Sequence, residues 1–157
     1  MKKNWKPYLF FLLLTEGTGA LSALLTRTGT KAYQAAVQKP PLSPPPMVFP
    51  VVWSILFFLL AIGAARIFLS PPSPLRRRGL ELFGAQLAFN FCWSLIFFNR
   101  QAFGLAFFWL LALEALIFLM VRRFWQVDRR AALLQIPYLL WVAFAGYLNF
   151  GVWRLNR

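Results

Sequence analysis

A helix that crosses the hydrocarbon core of a bilayer needs about 20 consecutive apolar residues, and this chain of 157 residues contains five such runs. They cover residues 8–25, 47–69, 80–98, 102–121 and 131–153. Between them the chain changes character abruptly. The second run ends at Ser70-Pro71-Pro72-Ser73-Pro74, followed by Arg76, Arg77 and Arg78. The fourth ends at Arg122-Arg123, and the fifth begins after Asp128-Arg129-Arg130. These are helix stops carrying cations that can snorkel to the membrane surface. The expectation is an all-α integral membrane protein: one domain over residues 1–157, folded as a bundle of five transmembrane helices.

Composition supports the same solvent. Only 13% of residues are charged and 60% are hydrophobic, whereas a soluble domain carries about 25% charged residues. The formal charge of +13 comes from 17 Lys and Arg against 4 Asp and Glu. The cations cluster between the apolar runs, where topology rules put them, so no nucleic-acid partner is expected and membrane lipid is. The chain has one cysteine, Cys92, and no histidine. An intrachain disulfide is impossible, a zinc site is not expected, and the commonest general base is missing.

The first connection, Thr26 to Pro46, is the longest. It contains Pro40-Pro41-Leu42-Ser43-Pro44-Pro45-Pro46, an extended and stiff stretch because proline fixes φ and removes donors. A Pro-rich loop of this length, with Tyr33 and Val37 to pack, reads as functional. The gap Asn99-Arg100-Gln101 forces a tight hairpin between the third and fourth runs. Lys2, Lys3 and Lys6 ahead of the first run, and small residues at Gly19-Ala20, resemble a signal peptide. The run continues through Leu24-Leu25, which suits a retained helix better. With the N-terminus inside, that side holds Lys2, Lys3, Lys6, Arg66, Arg76, Arg77, Arg78, Arg122, Arg123, Arg129 and Arg130. The other side holds only Arg27, Lys31, Lys39, Arg100, Arg154 and Arg157. The positive-inside rule then favours a cytoplasmic N-terminus with the proline loop outside.

At about 1.5 Å of rise per residue, Trp53, Trp93, Trp109 and Trp141 all fall in the outer half of that bundle, with Asn90 one turn below Trp93 on the same face. An aromatic belt at headgroup level accounts for Trp5, Trp125 and Trp153. It fits the deeper tryptophans less well, since a buried indole N–H needs a partner. An aromatic-lined pocket beneath the loop is expected, suited to a flat apolar ligand with a polar edge that Lys31 and Lys39 could meet. Ordinary packing is the competing reading. Glu16 and Glu114 lie inside apolar runs, where an acid is a functional candidate by default. Glu81 is placed at a helix start and Asp128 at a loop or cap. Gly84-x-x-x-Ala88 and Gly19-x-x-x-Ala23 would let helices approach closely, within the bundle or across a dimer.

Three stretches resemble one family. YQAAVQKPPLSPPPMVFPVVWSILFF, from Tyr33 to Phe58, is similar to the loop and second helix of the TspO/translocator protein family, the tryptophan-rich sensory proteins related to the peripheral benzodiazepine receptor. Gln86-Leu87-Ala88-Phe89-Asn90 with Trp93 resembles its third helix. Pro137-Tyr138 with Trp141, Phe144-Ala145, Leu148-Asn149, Trp153 and Asn156 resembles its fifth. The resemblance covers nearly the whole chain, in order. It implies a five-helix bundle, often a homodimer, here through the helix-three face of Gly84 and Ala88. It also implies a pocket for protoporphyrin IX, haem and isoquinoline or benzodiazepine drugs, with no resident cofactor or metal. Carried over, the pocket residues are Tyr33, Pro44, Phe49, Trp53, Phe57, Asn90, Trp93, Trp141 and Ala145. Leu42 and Ala32 stand where the family has tryptophan, and Phe57 where many members have tyrosine, so the lid has lost aromatic anchors. The sterol pattern is incomplete, because Arg154 lies too far beyond Tyr147.

Three functions follow from the resemblance: a tetrapyrrole sensor or regulator, a porphyrin transporter, or a protein that degrades porphyrin in light using Trp53 and Trp141. A transporter should show an internal repeat, and five helices cannot form two equal halves. General acid–base catalysis has little to work with here. The short chain with basic ends suits a bacterial plasma membrane.

Overall fold

The computed structural model describes residues 4–157, so Lys2 and Lys3 of the charge count lie outside it. The elements are α1 (Trp5–Leu25), α2 (Arg27–Ala36), α3 (Val48–Phe68), α4 (Pro74–Ser94), α5 (Phe103–Val127), α6 (Arg129–Leu133) and α7 (Ile136–Leu155), with a π-helical turn, Leu95–Asn99, extending α4. Among the described residues, five spans are long and apolar enough to cross a membrane: α1, α3, α4 with its π-turn, α5, and α6 with α7. Phe10, Leu13, Leu105, Phe108 and Leu140 point outward, which is the expected surface of a bundle dissolved in lipid.

Helices in lipid gain little from the hydrophobic effect when they meet, so close packing and polar contacts hold them together. In α3, Ala61, Gly63, Ala64 and Ala65 are buried, and their small side chains let neighbouring backbones come close. The amide of Gln135 fills the space left at Gly63 and donates to the Leu59 carbonyl at 3.0 Å. α5 packs between α4 and α7, while α1 leans mainly on α3. α1 is the loosest span, with only Phe11 and Thr15 buried. The Thr15 hydroxyl donates to the Phe57 carbonyl at 2.9 Å.

Several boundaries differ from the sequence reading. α4 begins at Pro74 rather than residue 80, because Ser73 caps it by accepting from the Arg76 amide at 3.1 Å and proline is well suited to the first helical position. The arginine run therefore belongs to the helix. Glu81 is not at the helix start but in its interior, 3.6 Å from Arg77 at i,i+4. The last span is broken at Leu134-Gln135, since Pro137 has no N–H for the Leu133 carbonyl. Asp128 is a cap, as expected: it accepts from the Arg130 amide at 3.0 Å and from Arg66 Nε at 2.8 Å. The first connection is not a loop throughout. Its first half is α2, and only the proline stretch that follows is extended or turning.

Candidate ligand cavity under the first loop

Two anchorages hold the first connection over one end of the bundle. On one side, α2 lies on the π-turn. Its Gly29 sits so close that a Cβ there would fall 2.6 Å from the Phe98 carbonyl oxygen. The Tyr33 ring packs 5.3 Å from Phe97 and 5.4 Å from Phe98, and Asn99 Nδ2 donates to the Leu25 carbonyl at 3.0 Å. On the other side, the proline stretch is fastened to the end of α7. The Gln38 amide donates to Asn156 Oδ1 at 2.9 Å, and Asn156 Nδ2 returns a bond to the Gln38 carbonyl at 2.7 Å. Tyr147 donates its hydroxyl to the Pro41 carbonyl at 2.8 Å. Pro40 is buried on Gly151, where a Cβ would approach it to 2.5 Å. Leu42 adopts a left-handed φ of 71°, uncommon without glycine, and Ser43 Oγ closes the turn on the Pro40 carbonyl at 2.7 Å.

Beneath this lid lies a cavity of about 660 Å³. Tyr33, Pro44, Phe49, Trp53, Phe57, Asn90, Trp93, Trp141 and Ala145 all line it. The rings meet edge to face: Trp53 is 6.4 Å from Trp141 and 5.7 Å from Phe57, and Phe49 is 6.0 Å from Trp141. Such contacts fix ring orientation and leave flat faces for a flat guest. Arg27, Lys31 and Lys39 lie at the lid end. Lys39 sits 4.8 Å over the Tyr33 ring and donates to the Val37 carbonyl at 3.0 Å. Burial pushes the Tyr33 hydroxyl above its ordinary value, keeping it neutral.

The polar groups of the wall are cross-braced. Asn90 Nδ2 donates to the Tyr138 hydroxyl at 2.8 Å, and that hydroxyl donates to Gln86 Oε1 at 2.6 Å. The Trp93 indole donates to Asn149 Oδ1 at 3.0 Å, while Asn149 Nδ2 donates to the Phe103 carbonyl at 2.9 Å. Trp141 is different. Its indole nitrogen is buried and has no acceptor among the described residues.

Other expected features fall elsewhere. Trp109 is not part of the cavity; it stacks on Phe89 at 4.5 Å and donates to the Phe89 carbonyl at 2.9 Å. Glu114 faces the packed interior with Oε1 unpartnered among the described residues. Glu16 lies at the cavity edge and accepts from Ser54 Oγ at 3.3 Å. Gly19 packs within the bundle, against Phe57, while Gly84 and Ala88 are exposed and a Cβ at Gly84 meets open space among the described residues. The sequence reading missed Ser94, Phe97 and Leu148 as liners. Helical spacing could have found them: Ser94 and Phe97 follow Asn90 by one and two turns, and Leu148 follows Trp141 by two.

Fold and cavity together define a class: a five-span helical membrane protein that encloses a tryptophan-lined chamber beneath a proline-rich lid. Residues 11–154 match the TspO/MBR family, and the chain belongs to it. It is 41% identical over 128 residues to Protein CrtK of Rhodobacter capsulatus, covering 80% of this chain and 79% of that one. It is 34% identical to the Translocator protein of Bos taurus, covering 100% and 94%, and 31% identical to the Tryptophan-rich sensory protein of Cereibacter sphaeroides, covering 99% and 95%. Among the described residues no group of three or more His, Cys, Asp or Glu could hold a metal ion.

Proposed function

We propose that this protein senses tetrapyrroles by binding porphyrin or haem in the chamber under the first loop. The observation that carries this reading is the lining itself. Trp53, Trp141, Phe49 and Phe57 offer apolar ring faces, and Arg27, Lys31 and Lys39 stand at one rim. A flat conjugated macrocycle with carboxylates on one edge needs that division. The volume of about 660 Å³ falls among small-molecule sites. The names of the relatives, tryptophan-rich sensory protein and translocator protein, agree with a ligand-responsive membrane protein.

Degradation of the bound pigment in light is the second reading, favoured by the contact of Trp53 with Trp141 at the cavity wall. The proposal places the N-terminus in the cytoplasm and the lid outside, on a bacterial plasma membrane, from the cation bias. It also includes a homodimer through the exposed Gly84 and Ala88 face of α4.

The test is a titration of detergent-solubilised protein with protoporphyrin IX, following quenching of tryptophan fluorescence. Saturable quenching, weakened by Trp141→Phe and by Asn90→Ala, supports the site. Non-saturable quenching, or quenching indifferent to both changes, means that the pigment merely partitions into the micelle and overturns the assignment.

A further inference from the structure

We infer that the chamber opens sideways into the membrane between α1 and α3, and that ligand enters through this gap from the lipid rather than under the lid. The inference rests on the ligand-binding reading above.

A shallow groove runs down the outside of the bundle between α1 and α3. Its walls are Leu12, Leu13, Ile55 and Phe58, with Gly17 between them. Leu13, Ile55 and Phe58 are 64%, 55% and 48% exposed, so lipid chains reach this face. Three residues line both the groove and the inner cavity: Glu16, Ala20 and Ser54. The two hollows thus share one wall, and that wall is thin. It consists of a methyl group, a hydroxyl and a carboxyl, joined by the Ser54–Glu16 contact of 3.3 Å. Counting about 1.5 Å per residue, Glu16 is about 14 Å below the lid end of α1 and Ser54 about 9 Å below that of α3. The gap therefore lies well within the apolar layer.

The alternative entrance is closed more firmly. Opening the lid on the α7 side breaks both Gln38–Asn156 bonds and the Tyr147–Pro41 bond. Opening it on the other side lifts Gly29 and Tyr33 from the π-turn. Parting α1 from α3 at this depth breaks the 3.3 Å Ser54–Glu16 contact and the neighbouring Thr15–Phe57 hydrogen bond, and α1 is the least buried span. A flat apolar molecule already dissolves in the bilayer, so the sideways route also spares it from crossing water. The Ser54 hydroxyl gives the carboxylate edge of such a guest a donor on the way.

The test uses the full chain in lipid vesicles and stopped-flow mixing with protoporphyrin IX. Gly17 lines the groove but not the cavity, and a side chain there meets open space. Gly17→Leu and Gly17→Phe should plug the gap in graded fashion. The expected result is that association and dissociation slow together, by about ten-fold for phenylalanine, as a barrier raised without a change in the bound state requires. The dissociation constant stays at the wild-type value, which also shows that the variants are folded. In a Cys92→Ser background, Gln38→Cys and Asn156→Cys joined by a short bismaleimide should bind at the wild-type rate, since the lid need not move. Wild-type rates in both Gly17 variants, an altered dissociation constant, or loss of binding on cross-linking the lid overturns the sideways entrance. Absence of saturable binding by the wild type overturns instead the ligand reading, and leaves the gap with nothing to admit.

Discussion

Two buried residues illustrate how polar groups divide between holding the bundle and serving the cavity. Asn149 is 1% exposed and satisfies both the Trp93 indole and the Phe103 carbonyl. Asn149→Ala orphans a donor and an acceptor, and each buried unpaired group costs about 1–3 kcal/mol. A lower midpoint of thermal unfolding in detergent is expected. Trp141→Phe takes away an N–H that has no acceptor among the described residues and keeps most of the ring. It should leave that midpoint nearly unchanged while weakening porphyrin binding, so the two substitutions separate stability from recognition in one pair of assays. Depth was legible in the sequence at this level, because rise per residue is fixed: Trp53, Trp93, Asn90 and Trp141 do reach one chamber. Direction around the helix axis was not. Trp109 has a suitable height but stacks on Phe89, because its angle on α5 turns it to α4 instead of the cavity.

The helices themselves depend on their ends. Asp128 caps α6 and grips Arg66 of α3 at 2.8 Å. Burial raises its pKa, but the Arg66 hydrogen bond and charge, with the backbone amides of Arg130 and Ala131, outweigh this and bring it below its ordinary 3.8. A depressed folded-state pKa stabilises the fold above that ordinary value, and the contribution disappears as pH falls through the lowered one. Denaturation followed from pH 6 downward should show stability falling below about pH 4, near the ordinary carboxylate range. Asp128→Asn should remove that part of the slope. At the other end, Gly151→Ala should press on Pro40 and loosen the lid, seen as faster hydrogen exchange at the amides of Gln38 and Lys39. The spans were readable because apolar length is a strong signal. α2 was not: Arg27–Ala36 contains Thr28, Gly29 and Thr30, poor helix formers, and it is packing of Gly29 and Tyr33 on the π-turn that fastens it there. The π-turn itself arises from the Arg100 amide reaching the Leu95 carbonyl at 3.2 Å, a detail of backbone geometry that residue patterns do not encode.

For the molecule as a whole, the apolar surface that faces lipid includes the α4 face proposed above as the contact with a second copy. Gly84→Leu and Ala88→Leu would fill the smooth face of α4; light scattering in mild detergent should show dimer giving way to monomer, with porphyrin binding retained. The five-span order was plain from hydropathy, and the cavity was legible only because aromatic and amide side chains recur at compatible depths on different spans. How those spans are arranged around it was not legible, since lipid-facing and buried apolar residues read alike in sequence. That arrangement leaves α5 outside the chamber wall. It packs between α4 and α7, and none of its residues lines the cavity. Substitutions along α5 can therefore make the fold hardier or more fragile without touching the chamber lining, while changes on the other spans reach it. The fourth span is the part of the chain in which a lineage, or an engineer, can adjust durability and leave chemical preference alone.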